Sequence, residues 1–145
     1  MYEYDVVVVH VVDGDTVDVD IDLGFGVWLR NQRIRLYGID TPESRTRDLE
    51  EKVFGNLAKD YLIDNLMKDK YSYVLLKTYK DGRGKFGRIL GELIVVDDEE
   101  KINLNQKMVD MHYAVQYFGQ SKDLIEEQHI KNREYLYETG VVERS

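Results

Sequence analysis

The sequence predicts an α+β chain, mainly β, in the element order of a five-stranded OB-type barrel with three helices. Two observations lead there. Apolar residues recur with period two through the first third of the chain and switch to a helical period near Leu49. Five short strands are then interrupted by a helix after the third and followed by two more helices. By pattern alone this order is one candidate among several small α+β arrangements.

Each element has its own justification. Val6 to Val12 is β-branched and continuous, as expected of a well-buried strand, and Asp13-Gly14 supplies a turn or bulge. In the run TVDVDIDLG, Val17, Val19, Ile21 and Leu23 share one parity and Asp18, Asp20 and Asp22 the other, which predicts a half-buried strand with solvated aspartates. Val27 to Tyr37 follows, with Ile34 and Leu36 alternating against Arg33 and Arg35. Thr41-Pro42-Glu43 breaks the pattern, because proline cannot donate to a ladder and disfavours helix in the residue before it. From Leu49 to about Lys68, the residues Leu49, Val53, Leu57, Tyr61 and Leu66, with Ala58 and Leu62 between them, predict a helix whose first turn is acidic with Asp48, Glu50 and Glu51. Strands are expected over Tyr71 to Tyr79 and Gly87 to Val96, joined by KDGRGKFG, and helices near Asn103 to Met111 and Ser121 to Tyr137, the last capped by Ser121.

At 145 residues the chain is expected to form one domain spanning 1–145. A hydrophobic share of 43% excludes a disordered chain, and the even spread of its 33% charged residues excludes a membrane span. The absence of cysteine rules out disulfides, thiolate metal sites and a cysteine nucleophile. His10, His112 and His129 have no metal-ligand spacing, which leaves carboxylate oxygen as the route to a metal. Acidic Glu3 and Asp5 precede the first apolar run, so no signal peptide is read and a cytoplasmic location is expected; a secreted precursor trimmed ahead of Met1 gives the same sequence. The net charge of -8 argues against a nucleic-acid partner, yet it averages two unlike regions. Between Trp28 and Leu90 stand 14 Lys and Arg against 9 Asp and Glu, whereas the flanks carry 6 against 19.

Two acidic sites fall at strand ends, Asp13-Gly14-Asp15-Thr16 and Gly38-Ile39-Asp40-Thr41-Pro42-Glu43. In isolation the first is most often a turn and the second a helix entry. Parity adds that Asp15 shares the side of Val17 and Val19, so its carboxylate faces the interior or the barrel mouth and needs a cation or donors there. Asp40, at the end of a neighbouring strand, can share that cation, and an oxygen-only donor set suits a hard ion such as Ca²⁺. Arg35 and Arg88 stand at strand ends where two planar forks can clamp a phosphate.

The pieces VVDGDT, RLYGIDTPE and KFGR, in this order and at these separations, resemble the staphylococcal nuclease (thermonuclease) family, from about Val6 to about Tyr137. The resemblance implies an OB-type barrel and a Ca²⁺-dependent nuclease that breaks the bond to the 5′ oxygen of DNA or RNA and leaves 3′-phosphate ends. It further implies that Asp15 and Asp40 bind Ca²⁺ through carboxylates and Thr41 through its carbonyl, with Asp13 in an outer role. Glu43 would act on water, and Arg35 and Arg88 on the scissile phosphate. Phe86 departs from the tyrosine usual in that loop, while Lys85 matches a basic position expected to meet substrate. His112 stands where the family tends to have glycine, which speaks against a left-handed helix cap there. Tyr117 is a candidate for stacking on a substrate base. His129 falls on a helix that family members use for packing and is given no part in catalysis. The alternative is an OB-type module that binds nucleic acid or a protein without catalysis; retention of Asp15, Arg35, Asp40, Glu43 and Arg88 favours the enzyme. The expected state is a monomer with DNA or RNA as substrate and no membrane partner.

Overall fold

The computed structural model describes residues 2–79 and 88–144. The predicted turn KDGRGKFG therefore lies, but for its final Arg88 neighbour, outside the described residues. Three long strands open the fold: β1 (Glu3–Asp13), β2 (Thr16–Gly24) and β3 (Val27–Leu36), joined by tight antiparallel turns. A two-residue strand β4 (Ile39–Asp40) precedes helix α1 (Leu49–Leu66). Strands β5 (Tyr73–Tyr79), β6 (Arg88–Asp97) and β7 (Glu100–Asn103) follow, then α2 (Leu104–Asp110), β8 (Val115–Gln116) and α3 (Lys122–Glu138). The main sheet runs β3-β2-β1-β5-β6-β7, and β3 also pairs with β6 in parallel register. That pairing closes β1, β2, β3, β5 and β6 into a five-stranded mixed barrel, with β7 added at its edge. The expected OB-type α+β fold is what forms. The three short strands β4, β7 and β8 have too few residues to show a period and were not legible in the sequence.

Inside the barrel, Val17, Val19 and Ile21 of β2, Ile34 and Leu36 of β3, Leu76 of β5, and Leu93 and Val95 of β6 meet, and Ala58 and Leu62 of α1 close one end. Strand β1 differs from its expected continuous burial. Val6, Val8 and Val11 are buried, whereas Val7 is 56% exposed, because an antiparallel strand with one wet face buries only alternate residues. A register shift between Val8 and His10 inserts one residue and moves the buried parity from even to odd positions. The aspartates of β2 are less solvated than expected: Arg33 donates to Asp18 at 2.9 and 3.1 Å, and Arg30 donates to Asp20 at 3.0 Å.

Helix α1 begins as its acidic entry predicts, with Asp48 serving as the N-cap: its Oδ1 accepts from the amides of Glu50 and Glu51 at 3.1 Å. Its buried face is rotated from the expected stripe. Phe54, Ala58, Leu62 and Asn65 are buried, while Leu49 is 76% exposed and Val53 is also open. The apolar residues nearly encircle this helix, so periodicity could not choose the face; the small residues Gly55 and Ala58, which admit neighbouring backbone closely, do. Past α2, His112 takes a φ of 67°, the left-handed cap conformation that its bulk argued against. Its ring stacks on Tyr135 at 3.6 Å, a contact that offsets the backbone cost of about 1 kcal/mol. No described helix is long and apolar enough to cross a membrane.

Closure of β3 on β6 is locked by a buried amide. Asn105 Oδ1 accepts from the Leu93 amide at 3.2 Å, and its Nδ2 donates to the carbonyls of Tyr37 and Gly91 at 2.9 and 3.1 Å. Gly91 permits the fit, since a Cβ there would lie 2.5 Å from Leu76 Cδ1. Asn105→Ala removes the side-chain partner of the Leu93 amide and the Tyr37 carbonyl, while the Gly91 carbonyl keeps the Tyr37 amide, and should cost about 2 kcal/mol in urea denaturation. A loss below about 0.5 kcal/mol would show that the barrel closes without this amide.

Candidate active site

Two turns and one strand end converge at a mouth of the barrel. The β1–β2 turn holds Gly14 and Asp15, and the Asp15 carbonyl accepts from the Leu36 amide at 2.8 Å, which sets the turn beside the end of β3. Gly14 is required for space rather than for backbone sign: a Cβ there would fall 2.9 Å from Thr41 Oγ1 and 2.8 Å from Ala58 Cβ. Asp13 Oδ1 accepts from the Gly14 amide at 2.9 Å and from Ser44 Oγ at 2.7 Å, tying this turn to the loop that carries Glu43. Strand β4 pairs with β8, Asp40 opposite Val115, and the Tyr117 amide donates to the Gly38 carbonyl at 2.7 Å.

Arg35 leaves the outer face of β3, as its parity predicts, and its Nη2 lies 3.5 Å from Asp15 Oδ2 and 3.8 Å from Asp40 Oδ1. One guanidinium nitrogen thus stands between the two carboxylates, while Arg35 Nη1 donates to the Leu36 carbonyl at 2.9 Å. The other oxygen of Asp40, Oδ2, is 2.7 Å from His129 Nε2. Although Glu43 opens to the cleft, partial burial raises its carboxyl above the usual range, and the negative charges of Asp13, Asp15, Glu51 and Asp40 raise it further. Thr41 is buried, and its hydroxyl has no hydrogen-bond partner among the described residues.

An open cleft of about 1030 Å³ runs across this mouth, and Arg35, Asp40, Thr41, Glu43, Arg88 and Tyr117 all line it. Asp15 is not among the lining residues and stands at the cleft's edge, 3.5 Å from Arg35. Asp13 is not among the cleft-lining residues and acts as a brace between the turn and Ser44. Lys85 and Phe86 lie outside the described residues.

A family model described as "Staphylococcal nuclease homologue" matches residues 33–137. The chain belongs to the staphylococcal nuclease family. Endonuclease YhcR of Bacillus subtilis is 32% identical over 122 residues, covering 80% of this chain and 9% of that protein. Uncharacterized protein MJ1439 of Methanocaldococcus jannaschii is 29% identical over 128 residues, covering 77% and 58% of the two chains. The thermonuclease of Staphylococcus intermedius is 28% identical over 95 residues, covering 66% and 51%. The chain thus spans from under a tenth to somewhat over half the length of these curated relatives.

Within this family member the donors at the mouth are oxygens, the chemistry a hard cation takes. Two carboxylates share one cationic nitrogen, a carbonyl-bearing Thr41 lies between Asp40 and Glu43, and the open cleft admits water for the remaining positions. Among the described residues no three acidic or imidazole groups form a ready-made cage. Three residues escaped the sequence reading. Phe118, 71% exposed, and Lys122 line the cleft beside Tyr117, which is 45% exposed. Tyr37 lines it too, stacked on Tyr79 with centroids 4.1 Å apart. An aromatic next to a predicted stacking residue was the available signal for Phe118; nothing in the sequence pairs Tyr37 with Tyr79.

The loop carrying Glu43 rests directly on α1, where a Cβ on Gly55 would lie 2.3 Å from the Glu43 carbonyl oxygen and 2.6 Å from the Ser44 nitrogen. Alanine is the better helix former by up to about 1 kcal/mol. Gly55→Ala should nevertheless destabilise the protein by about 1–3 kcal/mol through overpacking, measured by thermal and urea unfolding. A gain in stability would mean that the loop is not seated on this helix.

Proposed function

We propose that the protein is a Ca²⁺-dependent phosphodiesterase that hydrolyses DNA, RNA or both and leaves 3′-phosphate ends. The observation that carries this reading is the single cleft that gathers Arg35, Asp40, Glu43 and Arg88, with Asp15 ion-paired to Arg35. Membership in the family and the nuclease names of its relatives support it. Asp15 and Asp40, through carboxylates, and Thr41, through its carbonyl, are the proposed Ca²⁺ ligands, with Asp13 holding the turn from outside. When bound, Ca²⁺ supplies positive charge that neutralises the diester and favours attack on phosphorus.

The chain's own groups supply the rest. Glu43 accepts a proton from the attacking water. Water adds to phosphorus, the bond to the 5′ oxygen breaks, and that oxygen takes a proton from solvent water and leaves as a hydroxyl, while Glu43 returns its proton to solvent. Arg35 and Arg88 donate to the equatorial phosphate oxygens, where charge grows in the transition state. Tyr117 stacks on a base next to the cut, and Lys85 meets the backbone.

The test is cleavage of labelled single-stranded DNA and RNA with end-group analysis. Fragments with 3′-phosphates should form with Ca²⁺ and cease on chelation. Glu43→Ser and Arg35→Ala should each lower kcat/KM by roughly 10²- to 10⁴-fold with unchanged circular dichroism. Oligonucleotide that binds in Ca²⁺ yet stays whole would return the chain to the binding-module reading.

Affinity should also be weak and strongly salt-dependent, because acidic flanks oppose the basic middle. Arg88→Ala should flatten the plot of log affinity against log salt by about 0.7 for single strands. Tight binding indifferent to salt would contradict a phosphate-clamping cleft.

A further inference from the structure

His129 is 6% exposed, a buried imidazole on the helix whose Lys122, Asp123 and Glu126 line the cleft, as His129 itself does at its floor. Its position is set by neighbours unrelated to the cleft. Asn132 Nδ2 donates to the Ala114 carbonyl at 3.2 Å, Leu136 is buried, and Arg133 pairs with Glu50 of α1 at 3.3 Å. The ring is therefore held in place before it meets Asp40. A carboxylate only accepts, so the 2.7 Å contact is a donation from Nε2–H to Oδ2.

The contact divides the two oxygens of Asp40. Oδ2 is engaged by His129, and Oδ1 is left facing Arg35 Nη2 on the side where Asp15 stands. Asp40 itself sits on a two-residue strand, which fixes its backbone but leaves its carboxylate free to turn. A buried donor removes that freedom.

We infer that His129 is a positioning residue for Asp40, holding Oδ2 so that Oδ1 alone is offered to the divalent cation, across 89 residues of sequence. This rests on the Ca²⁺ reading above. Hydrogen-bonded supports of this kind typically govern metal affinity by about 10- to 100-fold.

The experiment is calorimetric titration of Ca²⁺ into the full chain without nucleic acid, alongside ¹⁵N-detected shifts of the His129 ring. Wild-type protein should bind Ca²⁺ with a shift of the Nε2 signal. His129→Ala should bind roughly 10- to 100-fold more weakly, and His129→Gln, whose amide can still donate, should recover much of the loss. If His129→Ala fails to fold, the glutamine variant and the wild-type shift decide. Unchanged affinity in the folded variants, with only a lower Tm, would make His129 a packing residue and overturn the inference alone. A wild-type chain that takes up no Ca²⁺ would overturn the metal reading and this inference with it.

Discussion

The parallel pairing of β3 with β6 is the constraint on which the rest of the molecule depends. Every other pairing in the main sheet is antiparallel, and each could persist in an open sheet. Only the register Arg33 with Arg88 through Leu36 with Gly91 makes the sheet a barrel. The same register brings the ends of two strands, one carrying Arg35 and the other opening with Arg88, to one cleft. It is held where strand pairing ends: the Tyr37 amide donates to the Gly91 carbonyl at 2.8 Å, and Asn105 gathers both segments from α2. A buried amide with all its donors used specifies geometry more sharply than apolar contact does, because any shift leaves a polar group unmatched.

That closure creates an electrostatic problem in solving the geometric one. Asp13, Asp15, Asp40, Glu43 and Glu51 crowd one mouth, and the proton affinity of Glu43, raised first by its partial burial, is raised further by the charges of the other four. Arg35 offsets part of it by lying against two of them at once. Ser44 and the Gly14 amide satisfy Asp13, and His129 satisfies Asp40. Such an arrangement retains carboxylates that a purely structural site would lose, since each costs desolvation and repulsion that packing alone does not repay.

Much of this was written in local pattern. The alternation of Val17, Val19 and Ile21 is that of a strand with one dry face, and Arg35 stands on the opposite parity to the buried Ile34 and Leu36. What local pattern missed has a physical cause in each case. The run from Val6 to Val12 is valine at every position but His10, so nothing in its first four residues distinguishes the wet Val7 from the dry Val8, and a bulge before His10 resets the parity. Helix α1 has apolar residues on nearly every side, so its buried face was chosen by what it had to admit. His112 keeps a left-handed cap because Tyr135, far along the chain, stacks on its ring. His129 meets Asp40 only after α3 has docked, and no spacing within the helix could announce it.

The face that α1 presents explains how distant motifs keep their mutual distances. Gly55 and Ala58 are three residues apart and share one side of the helix. Over Gly55 lies the backbone of Glu43 and Ser44; against Ala58 lies the Gly14 turn, which in turn abuts Thr41. A larger side chain at any of these positions would push one motif away from another, so the helix works as a common reference plane for both acidic sites. The distance between Asp15 and Glu43 is therefore fixed not by the chain that joins them but by how closely each can approach the same turn of α1. Side-chain smallness, which adds nothing to the hydrophobic core, is what lets the cleft assemble to a definite geometry.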